Sequence, residues 1–281
     1  MSNKISPLRY PGGKAKIYNN IKKIFEKNKL KKIVYCEPFA GGCGLALLLL
    51  KNHLVEELIL NDYDRGIFSF WYSILNYNNE FIEMIRNIEI SIEEREKQKN
   101  IYLEKEKIDI KNYKEVLKLG LATFYLNRVN RSGILKAGVI GGKKQNGAYK
   151  MNCRFNKEKL ILQIQEIYKY RKKIKFYNLD VLDFLKLINK RENLFIFFDP
   201  PYYNKGSELY TNFFKHDDHL KLAKEIKKIT NNWIVTYDNS EEIKKMYNTH
   251  DILEFDINYS LQNKIKGKEI IIFSSKLIKD F

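Results

Sequence analysis

Short apolar runs rich in Ile, Leu, Val, Phe and Tyr stand at residues 32–36, 57–60, 175–178, 194–198, 233–237, 252–257 and 269–274. Runs of this length, bounded by Gly, Pro, Asn and Asp, predict β-strands. Between the first two lie a glycine-rich turn and an apolar stretch at 45–50 that predicts a helix. Strand, helix, strand is the unit from which parallel sheets are built. The last two runs are separated by 258–268, which reads as a long polar loop, and they predict an antiparallel pair.

From about residue 67 to 171 the pattern changes. Residues 81–92, 92–107 and 113–126 read as helices, the second with dense charge on its exposed faces. Gly133, Gly138, Gly141, Gly142 and Gly147 then mark loop or hairpin structure. The expectation is an α/β fold with a mostly parallel seven-stranded sheet, formed by residues 1-66 and 172-281 and interrupted by an inserted domain, 67-171. No internal repeat or low-complexity linker breaks the sheet part.

At 281 residues the chain has ample length for this core. No run of about 18 apolar residues suggests a membrane span, and the first residues lack the apolar core of a signal peptide. Three cysteines without CxxC spacing argue for a reducing compartment and against structural zinc, so a cytoplasmic protein without metal is expected. Charge sharpens the picture: 51 basic against 34 acidic residues give +17, which favours a polyanionic partner, above all nucleic acid. Arginine is scarce, yet Arg128, Arg131 and Arg154 fall within one short central stretch.

The chemistry concentrates where two strands end. Leu194-Phe195-Ile196-Phe197-Phe198 runs into Asp199-Pro200-Pro201-Tyr202. Proline cannot continue a central strand, so a carboxylate, rigid carbonyls and a ring are set at the strand tip, where α/β folds hold their sites. Together these groups can hold a planar amine. The first strand leads into Glu37-Pro38-Phe39-Ala40-Gly41-Gly42-Cys43-Gly44, whose glycines let backbone approach a ligand. Asp62 ends the next strand, where an acid can accept hydrogen bonds from both ribose hydroxyls; a helix cap is its alternative role. Gly12-Gly13-Lys14 and Gly141-Gly142-Lys143 resemble the end of a P-loop, but Ala15 and Lys144 replace the magnesium-binding hydroxyl. His216-Asp217-Asp218-His219 reads as helix capping before a helix at 220–229 rather than as a metal site.

Pro-Gly-Gly-Lys near the start, Glu-Pro-Phe-Ala-Gly-Gly, a central insertion and Asp-Pro-Pro-Tyr, in that order, closely resemble the Dam-like (D12 class) DNA adenine-N6 methyltransferases, α group. The resemblance covers essentially the whole chain. It implies a Rossmann-like class I methyltransferase fold with an inserted helical and hairpin target-recognition domain, S-adenosyl-L-methionine as cofactor and double-stranded DNA as partner. By motif matching, Tyr10, Gly12 and Lys14 would belong to an element closing over the cofactor. Glu37, Pro38, Phe39, Ala40, Gly41 and Gly42 would line its methionine and ribose portions, Asp62 would bind the ribose hydroxyls, and Asp180 would meet its adenine amine. Asp199 would border the cofactor and, with Pro200, Pro201 and Tyr202, form the catalytic motif. Tyr202 is expected to stack on a flipped-out adenine, with Tyr203 either assisting or part of the core.

In the insertion, Asn127, Arg128, Asn130, Arg131 and Ser132 offer Arg for guanine edges and Asn for adenine edges, with phosphate contact an equal role for either arginine. Lys136, Lys143, Lys144 and Lys150 read as backbone clamps or as solvated charge. GATC-recognising relatives follow their Asn-Arg pair with an aromatic-Asn-Gly; Ser132-Gly133-Ile134-Leu135 departs from that, which puts GATC in doubt as the target but not the chemistry. Cytosine-N4 transfer is the nearest alternative reaction, and Asp rather than Ser at 199 leans toward adenine. A monomer or weak dimer is expected, with a cognate restriction endonuclease as a possible partner.

Overall fold

In the computed structural model, residues 5–10, 13–204, 214–260 and 264–279 are described, without the side chains of 256–260 and 264–267. Strands β1 (Val34–Glu37), β2 (Glu57–Asn61), β3 (Ile174–Tyr177), β4 (Leu194–Phe198), β5 (Asn232–Asp238), β6 (Asp251–Ser260) and β7 (Lys264–Phe273) form one sheet of order β3-β2-β1-β4-β5-β7-β6. β1 runs parallel to β2 and β4, and β4 parallel to β5; β7 runs antiparallel to both β5 and β6. The fold is mixed α/β, with its parallel strands at the centre, as the apolar pattern predicts.

Contacts divide the chain into two compact units: Lys14–Asn61 with Leu179–Phe281, and Met1–Gly13 with Asp62–Asn178. These divisions fall after 13, 61 and 178, where the hydrophobic pattern suggested only 66 and 171 and placed the first residues with the sheet. Hydrogen bonds within the second unit explain the shift. The Asp62 amide donates to the Tyr177 carbonyl (3.2 Å), and Asn178 Nδ2 donates to the Asp62 carbonyl (2.8 Å).

The first unit carries α1 (Tyr18–Lys27) and α2 (Gly44–Lys51). β4 is buried along its whole length because five large apolar side chains have neighbours on both faces of the sheet. The pair β6/β7 corrects the long loop expected at 258–268: the strands pair from Asp251↔Phe273 out to Ser260↔Lys264. Polar residues there made the segment look like a loop, but a ladder held by backbone bonds tolerates polar side chains.

The second unit is built from α3 (Arg65–Asn76), α4 (Asn78–Asn87), α5 (Ile92–Leu103), α6 (Tyr113–Val129) and α7 (Lys157–Tyr168). The helix expected at 81–92 ends at Asn87, and Ser91 caps α5 by accepting from the Glu94 amide (3.1 Å). Gly120 lets α6 meet α3, since a Cβ there would lie 2.7 Å from the Ser69 carbonyl. Asp64 caps α3 and is itself buried with the Tyr102 hydroxyl (3.0 Å) and the Lys105 ammonium. α8 (Val181–Ile188), α9 (His216–Ile226) and α10 (Glu241–Met246) return to the first unit.

Candidate active site

β1 lies between β2 and β4, all three parallel, so the order of strands reverses beside it. In open α/β sheets the crevice at the carboxyl ends of such strands receives the ligand. β1 delivers Glu37 to Gly42 to this edge and β4 delivers Asp199 to Tyr202.

The turn after β1 takes a left-handed backbone at Gly41 (φ 47°) and Cys43 (φ 51°), and from there the chain enters α2. Asn61, at the end of β2, holds it. Its Nδ2 donates to the carbonyls of Pro38 and Leu179 (both 3.1 Å), its Oδ1 accepts from the Leu179 amide (2.9 Å), and its carbonyl accepts from the Ala40 amide (2.9 Å). Glu37 is buried and accepts from the Tyr35 hydroxyl (3.0 Å). Burial pushes its carboxyl up to about 8, with the Tyr35 hydrogen bond opposing and the Asp199 charge adding to the rise. No cation pairs with Glu37 among the described residues, so the turn suits a ligand carrying an ammonium group. Phe39 is half-buried, its ring edge-on to Phe214 (5.8 Å), and Asp180 caps α8 by accepting from the Leu182 amide (2.8 Å).

A buried ionic cluster lies at the end of β4. Lys14 is only 6 % exposed, which excludes a solvated lysine. Its Nζ stands 3.0 Å from Asp199 Oδ1, 3.3 Å from Glu269 Oε2 and 3.4 Å from the Tyr202 hydroxyl oxygen, and 5.4 Å from the centre of the Tyr202 ring. The Tyr202 hydroxyl in turn donates to Glu269 Oε1. Burial is the largest influence on Lys14 and works against its charge, but Asp199 and Glu269 together hold its pKa above the usual lysine value. Burial holds the Asp199 carboxyl above its usual range, with Lys14 opposing. Asp199 Oδ1 also accepts from Thr236 Oγ1 (2.8 Å), and the Pro200 carbonyl takes no hydrogen bond from any described residue. Tyr202, expected to stack on a base, is 3 % exposed in this state, with its hydroxyl tied to Glu269.

Three of these braces come from strands that drew no functional reading in the sequence. Thr236 and Asp238 stand on β5 and Glu269 on β7, with Asp238 and Glu269 paired in register. The Asp238 carboxylate accepts from the amides of Tyr203 (2.7 Å) and Asn204 (2.9 Å), fixing the chain just after the motif. A signal was present: Thr236 and Asp238 are polar residues within and at the end of the largely apolar β5, and Glu269 directly precedes the apolar run Ile270–Phe273. Of His216-Asp217-Asp218-His219, Asp218 does cap α9, accepting from the Lys215 amide (3.0 Å), although the four residues open the helix rather than precede it. His219 is buried, and its Nδ1 meets the Tyr237 hydroxyl (3.0 Å).

The family model for D12 class N6 adenine-specific DNA methyltransferases matches residues 10–261 of this chain. The chain belongs to that family. No curated protein matches this methyltransferase. Its reaction is therefore adenine-N6 methylation of DNA, and the family uses S-adenosylmethionine.

The methyltransferase's other expected site residues belong to the second unit, except Gly12, which lies outside the described residues. The Tyr10 carbonyl accepts from the Gly13 amide (3.3 Å). Asp62 Oδ1 accepts from the Asp64 amide (2.9 Å), and the helix-capping role considered for Asp62 falls to Asp64. Asn127 and Asn130, expected at adenine edges, are buried with their amides spent inside the protein. Asn127 accepts from the Arg9 amide (2.7 Å) and donates to the Arg9 and Gly133 carbonyls. Asn130 accepts from Arg95 Nε (2.9 Å) and donates to the Ile134 and Leu135 carbonyls. Arg128 is likewise committed, to the carbonyls of Arg154 and Pro7. These three are corrected from DNA readers to structural residues, because an amide or guanidinium saturated by backbone has few donors left for a base.

Arg131 is exposed, makes no hydrogen bond to a described side chain, and sits beside Ser132 in left-handed backbone (φ 55°). Lys136, Lys143 and Lys144 are exposed and carry no ion pair among the described residues, whereas the Lys150 ammonium donates to the Gln145 carbonyl. Gln145 organises this glycine-rich segment, donating to the Ile140 carbonyl (2.8 Å) and accepting from the Met151 amide (2.9 Å).

Proposed function

We propose that the chain is a site-specific methyltransferase whose Asp199–Tyr202 motif receives a flipped-out adenine from duplex DNA, on a Rossmann-like class I scaffold. The observation that carries this reading is the state of Asp199. One carboxylate oxygen is held by Lys14 and Thr236, while the side chain keeps 23 % exposure beside a Pro200 carbonyl to which no described residue donates. Two acceptors are thus set at the strand tip for the two protons of one amine.

Adenine N6 is a poor nucleophile because its lone pair is delocalised into the ring. Hydrogen bonds from its protons to Asp199 and to the Pro200 carbonyl favour a more tetrahedral nitrogen whose lone pair can be aimed. S-Adenosylmethionine, when bound, supplies the electrophilic methyl group. Glu37, Phe39, Gly41 and Gly42 would hold its methionine and ribose portions, with the buried Glu37 carboxyl facing the ammonium, and Asp180 would take its adenine amine. Positioning and preorganised charge carry most of the rate gain.

N6 is stacked inside the duplex, so the adenine must leave it, at a cost of a few kcal/mol. In the unit that holds the 67-171 insertion, Arg131 is the side chain best suited to a base edge, and Lys136, Lys143 and Lys144 suit phosphates. Single-molecule methylome sequencing of DNA from cells expressing the chain, beside an Asp199→Ala control, tests the reading. N6-methyladenine at one short motif in the active sample alone is expected. N4-methylcytosine, or equal methylation in the control, would overturn it.

A further inference from the structure

We propose that Glu269 on β7 is a positioning residue for methyl transfer, holding Lys14 and Tyr202 in place and restoring the negative charge that Lys14 removes from Asp199. The inference rests on the reading of Asp199 as the acceptor for the substrate amine.

Glu269 is 0 % exposed and pairs in register with Asp238 of β5 and Phe255 of β6, and it opens the apolar run Ile270–Phe273 that ends β7. A buried ionised carboxylate is costly, and even well-paired buried ions are often no more stabilising than apolar residues of similar volume. Stability alone therefore gives no reason for an acid at this position. What Glu269 contacts does. One oxygen accepts the Tyr202 hydroxyl and the other lies 3.3 Å from Lys14 Nζ. Both partners belong to the cluster around the catalytic motif.

The geometry assigns Glu269 two effects. First, Lys14 has three ammonium protons and three oxygen neighbours, on Asp199, Glu269 and Tyr202. Glu269 shares the ammonium and prevents it from closing fully onto Asp199, while Thr236 steadies the same Asp199 oxygen at 2.8 Å. The second Asp199 oxygen, to which no described residue donates, stays available for the amine. Second, Lys14 and Asp199 alone form a neutral pair. Adding Glu269 leaves one net negative charge in the cluster, and positive charge would develop on N6 as its lone pair takes up the methyl carbon and the carbon–sulfur pair leaves with the neutral thioether. A fixed charge of opposite sign in a water-poor site stabilises such a transition state.

The test compares wild type, Glu269→Gln and Tyr202→Phe in single-turnover transfer of labelled methyl from S-adenosylmethionine to unmethylated genomic DNA. Cofactor affinity and thermal unfolding are measured on the same preparations. Glu269→Gln is nearly isosteric and removes the charge; the expected loss is about 100-fold in rate with cofactor affinity unchanged. Because the Glu269 charge helps to raise the Asp199 pKa, the acid limb of the pH–rate profile should also move to lower pH, which a merely structural residue would not cause. Tyr202→Phe keeps the ring and deletes the bond to Glu269, so it is informative even if Glu269→Gln fails to fold; about a tenfold loss in rate is expected. An active wild type with Glu269→Gln or Tyr202→Phe at wild-type rate, or with an unmoved acid limb in Glu269→Gln, overturns the inference alone. A wild type that leaves adenine unmodified overturns the functional reading and the inference with it.

Discussion

Replacing Lys14 by Met takes one ammonium out of a cluster in which Lys14 is 6 % and Glu269 0 % exposed, and the Asp199 side chain 23 %. Two carboxylates then face each other in a poorly solvated site without their cation. Removing one partner of a buried ion pair costs about 3–5 kcal/mol, a large share of the roughly 5–15 kcal/mol that stabilises a typical domain. In the wild type, the raised Lys14 pKa means that its contribution is complete below the ordinary value of 10.5 and fades only as pH rises through the higher folded value, outside the assay range. In Lys14→Met, Asp199 loses the charge that opposed the upward shift, so its folded pKa rises further above 3.8. A carboxyl with a raised folded pKa destabilises progressively as pH climbs from its unfolded value toward the folded one, by about 1.4 kcal/mol per pH unit for each proton. The deficit of Lys14→Met is therefore about 3–5 kcal/mol at pH 8 and clearly smaller at pH 5. Urea unfolding followed by far-UV circular dichroism at the two pH values measures it. A loss below about 1 kcal/mol, or one equal at both pH values, refutes the buried-cluster argument.

Glu37 makes cofactor binding pH-dependent: with its carboxyl at about 8, affinity for S-adenosylmethionine measured calorimetrically should rise from pH 6 to 8 as the acid ionises, and Glu37→Gln should flatten that rise. Asn127→Ala should cost roughly 2–4 kcal/mol of unfolding free energy without changing the methylated motif, because it strands the Arg9 amide and the Arg9 and Gly133 carbonyls. Arg131→Ala should leave stability within about 0.5 kcal/mol and relax discrimination at one base position by about 1–3 kcal/mol in competitive methylation. A uniform loss across all sequences with a shallower salt slope would make Arg131 a phosphate contact instead.

What was legible in the sequence is local. Five apolar residues ended by Asp199-Pro200 could only be a strand that stops, and β4 spans those five residues. Glu37 to Gly44 had to turn between a strand and a helix, and Asp218 had the chemistry of a cap, which it performs. The family order of motifs was readable for the same reason, since each motif is a contiguous run of residues.

The tertiary structure decided which polar groups meet. Lys14, Asp199, Tyr202, Thr236 and Glu269 come from a short 3-10 turn, the end of β4 and two further strands, as much as 255 residues apart in the chain. Only the pairing register of β5 with β7 sets Glu269 beside Asp238 at the motif's edge, and a shift of one residue would turn it to the other face. Asn127 and Asn130 show the converse. Their sequence context offered free amides for base edges, but folding brought the Arg9 backbone and the Arg95 guanidinium onto them. A side chain's chemistry is written in its residue type; whether that chemistry is available to a ligand depends on which donors and acceptors the rest of the chain places against it.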